Sequence, residues 1–174
     1  MTLYNSETKT PMTIDAREVA PAAATPSMFC KNQINSQIGS LAIGVPGQLK
    51  GYWTAFNKFG GGVSWKSLFE PAIQMCEEGI SISKRLETNI CCNKNAILKN
   101  DILREYFLNK ETGTLKKMGD RFRMLKLAET LKIIALNGAD YFYNGPLASR
   151  IANEVQNAGG ILSFKDLNDY TPFL

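Results

Sequence analysis

The sequence predicts an α+β fold in which helices are layered on one side of a small sheet. Three extended segments come early in the 174-residue chain, and six or seven helical patterns follow them. Strands followed by a run of helices are typical of this class. With 44% hydrophobic residues the chain can also bury a substantial core. Because three strands are few for a sheet, we interpret residues 1–174 as a single partial domain of a larger fold.

The extended segments are short and are bounded by turn-forming residues. TLYN at 2–5 and MTIDA at 12–16 flank the polar stretch SETKTP, and this pattern predicts a hairpin. SLAIGVPG at 40–47 is the third segment, and Pro46-Gly47 marks its end.

Arg17 leaves the second segment on its more polar side. Alternation along a strand gives one face with Met12, Ile14 and Ala16, and an opposite face with Thr13, Asp15 and Arg17. On the residues alone, Arg17 is more often a surface charge paired with Asp15 or Glu18. The other interpretation is a guanidinium aimed at a ligand carboxylate, which needs a planar fork of donors on a rigid element.

Apolar residues at helical spacing predict three helices after the third segment. Their inner faces comprise Leu49, Tyr52, Trp53 and Phe56, then Trp65, Leu68, Phe69, Ala72 and Cys76, then Leu86, Ile90 and Ile97. The GGG at 60–62 ends the first helix, and without the Lys-Ser/Thr of a phosphate-binding loop we interpret it as a flexible turn. Ser64 and Ser83 are N-cap candidates, and Pro71 is expected to kink the second helix.

The remaining helices carry their own start and stop signals. DILREYFL at 101–108 predicts a short helix and NKETGTL at 109–115 a hairpin-like patch. Two longer helices have their apolar residues at Leu127, Leu131 and Ile134, and at Leu147, Ile151 and Val155. Asn137-Gly138 and Gly159-Gly160 mark their ends, Pro146 suits a first turn, and Ser163 with Asp166 resembles a capping box.

Composition excludes several kinds of chemistry. The absence of histidine removes Ser-His and Cys-His nucleophile pairs and imidazole metal ligands. The cysteines, Cys30, Cys76, Cys91 and Cys92, form no CxxC, so we expect no structural zinc and interpret the adjacent pair as plain thiols. A net charge of +4, spread along the chain, is too small to indicate a nucleic-acid partner. No segment has the pattern of a signal peptide or a membrane span.

Two other candidate sites have simpler explanations. KKMGDRFRMLK at 116–126 groups Lys116, Lys117, Arg121, Arg123 and Lys126, but apolar residues interrupt it, so a solvated face is favoured over nucleic-acid binding. Thr2 would become an N-terminal nucleophile if Met1 were removed. Thr2 directly precedes a strand, however, and the sequence offers no oxyanion hole near it.

Four segments resemble the large subunit of the γ-glutamyltranspeptidases. They are DAREVAP at 15–21, SLAIGVPGQLKGYW at 40–53, WKSLFEPAIQMCEEGISIS at 65–83 and NGADYFYNGPLASRIANEVQNAGGILSFKDLNDY at 137–170. They occur in the family's order and cover nearly the whole chain. The resemblance implies that the chain is an interior portion of a large subunit, within a four-layer αββα N-terminal-nucleophile hydrolase fold.

The resemblance also implies a function. In this family the N-terminal threonine of a separate small subunit attacks the γ-carbonyl of glutathione, with its own amine as base and backbone amides around the oxyanion. The arginine of the family's A-R-E-V-A-P motif binds the α-carboxylate of the γ-glutamyl donor, and it matches Arg17. We therefore expect one substrate-binding residue, no catalytic residue, no cofactor and no turnover by the isolated chain, with the donor and the small subunit as partners.

The resemblance further implies a location outside the cell or at its surface. Some relatives carry a cysteine pair where this chain has Arg104 and Leu108, and no Asn-x-Ser/Thr sequon occurs here, so secretion and disulfide state stay open. Two alternatives remain. One is a catalytically inactive relative that acts as a binding or secreted effector protein, and the other is a free-standing helical interaction domain.

Overall fold

The computed structural model describes residues 1–60 and 62–174, and its fold is α+β, as predicted. The chain forms two compact units, which we call the terminal unit (Met1–Trp65 and Ile134–Leu174) and the central unit (Lys66–Ile133). The single partial domain expected over 1–174 stays a prediction.

Short strands and helices make up both units. The strands are β1 (Thr2–Asn5), β2 (Thr10–Thr13), β3 (Ile80–Ser81) and β4 (Arg121–Phe122). The helices are α1 (Gln48–Phe59), α2 (Glu70–Glu78), α3 (Lys84–Cys92), α4 (Lys94–Lys99), α5 (Asp101–Phe107), α6 (Leu125–Asn137), α7 (Asp140–Tyr143), α8 (Pro146–Asn157) and α9 (Phe164–Asp169).

The predicted hairpin opens the terminal unit. β1 and β2 pair antiparallel, with Thr2 opposite Thr13. The second strand ends earlier than predicted, but the chain stays extended beyond it, because Asp15 pairs with Phe173 through two backbone hydrogen bonds of 2.8 and 2.9 Å. The predicted alternation is confirmed: Ile14 is fully buried, whereas Asp15 and Arg17 are exposed.

The prediction of a third extended segment is wrong at the start of that segment. Residues Ser40–Ala42 form a 3-10 turn, and only Val45 pairs with a neighbour, donating to the Val19 carbonyl at 2.8 Å. The Ser40 hydroxyl donates to the Ala158 carbonyl at 2.6 Å, which ties the turn to the end of α8. Ser40 and Ala158 lie 118 residues apart in the sequence, so local patterning cannot reveal their contact.

The second helix also begins later than predicted. A 3-10 turn at Lys66–Leu68 precedes α2, so Ser64 does not cap an α-helix. Pro71 lies in the first turn of α2 and causes no kink, because its missing N–H would have no helical partner there. Gly60 ends α1 as predicted, whereas Gly61, the centre of the predicted GGG turn, lies outside the described residues.

Several predicted helix boundaries in both units are confirmed. The Ser83 hydroxyl caps α3 by accepting the Leu86 N–H at 3.2 Å. Ser163 and Asp166 form the predicted capping box at the start of α9. α6 ends at Asn137, before Gly138 with φ of 77°. Each of these signals acts within a few residues, so the sequence alone reveals it.

The central unit packs around a small apolar core. Its buried residues are Ile82, Ile90, Ile97 and Phe122. β3 and β4, which the sequence did not predict, pair Ile80 with Phe122. The predicted hairpin-like patch is confirmed by the pairing of Leu108 with Leu115.

Candidate functional site

Arg17 lies at a cleft of about 910 Å³ in the terminal unit. One wall of this cleft is the extended chain from Thr13 to Glu18, and the other is formed by Gly44, residues 46–48 and the first turn of α1. The structure thus brings together the DAREVAP segment and the Val-Pro-Gly turn. A ligand carboxylate in this cleft could reach Arg17.

The Arg17 side chain is 81% exposed and its Nη2 lies 3.0 Å from Oε1 of Glu18. Asp15 has another role, since its Oδ1 accepts the backbone N–H of Arg17 at 3.0 Å. A backbone hydrogen bond and then the Arg17 pairing lower the pKa of Glu18, so Glu18 is charged at neutral pH. Because exposed ion pairs contribute little, the guanidinium can exchange Glu18 for another carboxylate at small cost.

The backbone of Arg17 is held by Tyr170, which in turn stacks on a second tyrosine. The Tyr170 hydroxyl donates to the Arg17 carbonyl at 2.8 Å. The Tyr170 ring stacks on Tyr143, with ring centroids 5.9 Å apart. The Tyr143 hydroxyl donates to the Pro46 carbonyl at 2.7 Å and accepts the Lys50 N–H at 3.1 Å. The tyrosines therefore hold both walls of the cleft, whereas the guanidinium makes an exposed ion pair with Glu18.

Two glycines let α1 approach the strand end closely. A Cβ on Gly51 would lie 2.4 Å from Cβ of Ala16, and a Cβ on Gly47 would lie 2.5 Å from the Ala16 carbonyl oxygen. The spacing of four residues puts both glycines on one face where α1 begins. Sequence reasoning singled out Arg17, whose role stays a prediction, but did not assign Gly47, Gly51 or the two tyrosines to the cleft. The four-residue spacing was the local signal for the glycines.

Because of Tyr143, the stability of the terminal unit should depend on pH in the alkaline range. Burial raises the pKa of Tyr143 from 10.0 to about 12. The fold thus favours the neutral phenol, and this contribution is complete below pH 10 and is lost as the pH rises towards 12. We expect the melting temperature of the wild type to fall more steeply over this range than that of Tyr143→Phe.

Thermal unfolding followed by circular dichroism at a series of pH values measures this difference. Tyr4→Phe is the matched control, because Tyr4 is 64% exposed on β1. Its curve should run parallel to that of the wild type. Parallel curves for Tyr143→Phe and the wild type would refute the role of Tyr143.

The other candidate residues give no second reactive centre. Thr2 is exposed and paired in β1, opposite Thr13. Cys76 is buried, Cys30, Cys91 and Cys92 are exposed, and all four are free thiols. Among residues 1–60 and 62–174, no three His, Cys, Asp or Glu side chains are grouped as metal ligands. Within the same residues, no helix has the length and hydrophobicity needed to cross a bilayer.

The fold defines the class of protein as part of an N-terminal-nucleophile hydrolase. The crystal structure of Helicobacter pylori γ-glutamyltranspeptidase superposes with a TM-score of 0.88 at 31% identity, covering 99% of this chain and 50% of that one. The sequence model of the γ-glutamyltranspeptidases matches residues 1–174. The chain therefore belongs to the γ-glutamyltranspeptidase family, as the resemblance indicated.

Curated relatives support the same family. Scoloptoxin SSD14 of Scolopendra dehaani is 40% identical over 174 residues, which are 100% of this chain and 30% of that protein. Glutathione hydrolase 2 of Arabidopsis thaliana is 40% identical over 161 residues, covering 92% of this chain and 27% of that protein. The chain thus spans less than a third of the length of these relatives.

Proposed function

We propose that this chain supplies the donor-binding arginine of a γ-glutamyltranspeptidase that transfers γ-glutamyl groups and hydrolyses glutathione. The observation that carries the proposal is the exposed guanidinium of Arg17 on a fixed backbone at the edge of a cleft. Membership of the family and the name of a relative, glutathione hydrolase, support the class of substrate.

Carboxylate binding by Arg17 follows from the chemistry of its side chain. A guanidinium presents a rigid fork of N–H donors that matches both oxygens of a carboxylate. In the free chain one of these N–H groups donates a hydrogen bond to the Glu18 carboxylate. We infer that the α-carboxylate of the donor replaces Glu18 when glutathione binds.

The bond-breaking groups are proposed to come from another part of the same precursor. The small subunit would provide the nucleophilic threonine, whose amine is the base, together with the backbone amides of the oxyanion hole. This acyl transfer needs no cofactor. We propose a location outside the cell or at its surface, where extracellular glutathione would be the donor.

An assay with a γ-glutamyl anilide tests this division of labour. The 174-residue chain should release no anilide, whereas the complete precursor should release it, because the nucleophile lies outside residues 1–174. Release by the purified chain alone would contradict the proposal. Addition of free glutathione, which competes for the donor site, should suppress the activity of the complete protein.

A second candidate function is that of a catalytically inactive binding or secreted effector protein. The match over the whole chain to a relative named as a toxin, Scoloptoxin SSD14, supports the secreted-effector part of this function. A complete precursor that binds glutathione yet neither cleaves itself nor releases anilide would support this function over the enzymatic one.

A further inference from the structure

The central unit contains a second cleft, of about 540 Å³, which has no part in the proposed donor site. α5, the hairpin at 108–115, β4 and the start of α6 contribute to its walls. Its basic side chains are Lys110, Lys116, Arg121, Arg123 and Lys126, and its acidic side chains are Glu78 and Glu105. We call it the cationic cleft, because five basic groups face two carboxylates.

Most of these cations have no partner of opposite charge. In the part of the chain that the structure describes, no carboxylate lies within ion-pair distance of Lys110, Lys116, Arg123 or Lys126. Arg121 is held differently, because its Nη2 and Nε donate to the Gly79 carbonyl at 2.6 and 3.2 Å. Arg121 is therefore fixed in place with its charge uncompensated.

Lys116 lies close to charges of both signs. It is half-buried, and burial is the main cause that lowers its pKa; the charge of Asp120 opposes this shift, and the smaller effect of Lys110 adds to it. A solvated surface would let these lysines separate, whereas here the hairpin keeps them in one concave space. A bound anion would supply the missing countercharge.

Aromatic rings form the apolar side of the cationic cleft. Phe122 is 8% exposed, and its ring centroid lies 6.4 Å from that of Tyr106 in an edge arrangement. The cleft thus combines a predominantly charged lining with a small apolar wall.

We propose that the cationic cleft binds a soluble oligophosphate, either inorganic or part of a nucleotide. Five cations against two carboxylates leave an excess of three positive charges, which favours an anion with several negative charges, such as tripolyphosphate. Arg and Lys side chains are the usual donors to phosphate oxygens. This inference does not depend on Arg17 or on the proposed transferase activity.

Isothermal titration of the 174-residue chain with tripolyphosphate at low ionic strength tests the proposal. We expect saturable binding with one ion per chain, weakened about tenfold or more in the variant Lys110→Gln/Lys126→Gln. The control is Lys94→Gln/Lys99→Gln, which removes the same charge from the same unit at exposed positions outside the cleft. The control should bind within about twofold of the wild type.

Three outcomes would overturn the proposal. They are no binding at low ionic strength, an equal loss of affinity in both double variants, and tighter binding of single-stranded RNA than of tripolyphosphate. Titration with ATP distinguishes the two sources of phosphate. Affinity above that of tripolyphosphate would show a nucleotide site in which the base contacts Tyr106, and equal affinity would show a site for the phosphates alone.

Discussion

Replacement of Arg17 by alanine in the complete enzyme is expected to lower kcat/KM for a γ-glutamyl donor by about 30- to 4,000-fold. Removing one partner of a desolvated, hydrogen-bonded charge pair costs roughly 2–5 kcal/mol, which corresponds to that range. The loss should fall mainly on KM, because the α-carboxylate of the donor keeps its charge throughout acyl transfer and is bound equally in ground and transition states.

The size of the loss in kcat/KM also shows how completely the bound donor and the rest of the protein shield Arg17 from solvent. An ion pair that stays exposed is worth at most about 1 kcal/mol, or about fivefold in kcat/KM. Arg17→Lys keeps the charge but loses the planar fork, so we expect an intermediate loss. An effect of Arg17→Ala below fivefold would contradict the assigned role.

Arg150→Ala is a closely matched control for this measurement. Arg150 is also in the terminal unit, its side chain is 76% exposed, and its Nε lies 2.9 Å from Oε1 of Glu154. It therefore has the same kind of exposed ion pair as Arg17 without a place in the cleft. Its substitution should leave donor kinetics unchanged, and a comparable loss there would point to a general electrostatic effect.

The parts of the fold that the sequence predicted are those with local causes. Ser83, Pro146 and Ser163 act on backbone groups within a few residues, so their sequence positions reveal the helix starts. The burial of Ile90 and Ile97 was also predicted, but the single helix expected to carry both is wrong, because the chain leaves the helix at Asn93 and divides it into α3 and α4.

The parts that were missed depend on contacts between distant residues. The 3-10 turn at 40–42 is fixed by α8, and the extended chain at Asp15 is completed by Phe173. In the site, Arg17 was singled out by its motif and its role stays a prediction, whereas its backbone anchor, Tyr170, lies 153 residues away in the sequence. Tertiary contacts of this kind override local propensity and leave no periodic pattern.

Gly47→Ala is expected to cost the 174-residue chain about 2–4 kcal/mol of unfolding free energy. A Cβ on Gly47 would lie 2.0 Å from the Tyr170 hydroxyl oxygen and 2.5 Å from the Ala16 carbonyl oxygen. Overpacking of this kind costs about 1–3 kcal/mol, and displacing Tyr170 breaks its hydrogen bond to the Arg17 carbonyl at about 1 kcal/mol more. Urea unfolding of variant and wild type measures the difference.

Gly113→Ala is an uncrowded comparison whose cost comes from left-handed backbone strain, which Gly47 with φ of −105° does not have. A Cβ on Gly113 would meet nothing within 4 Å, so only its φ of 68° disfavours alanine, at about 1 kcal/mol. If crowding against the Tyr170 hydroxyl dominates at Gly47, the double variant Gly47→Ala/Tyr170→Phe should lose less than the sum of the two single losses, because the crowded oxygen is gone. Strict additivity would mean that the Ala16 carbonyl oxygen and the ring carbon Cζ of Tyr170, each 2.5 Å from the added Cβ, determine why glycine is needed. In the complete enzyme, displacement of Tyr170 should also raise the KM for the donor, since the backbone that carries Arg17 would lose its anchor.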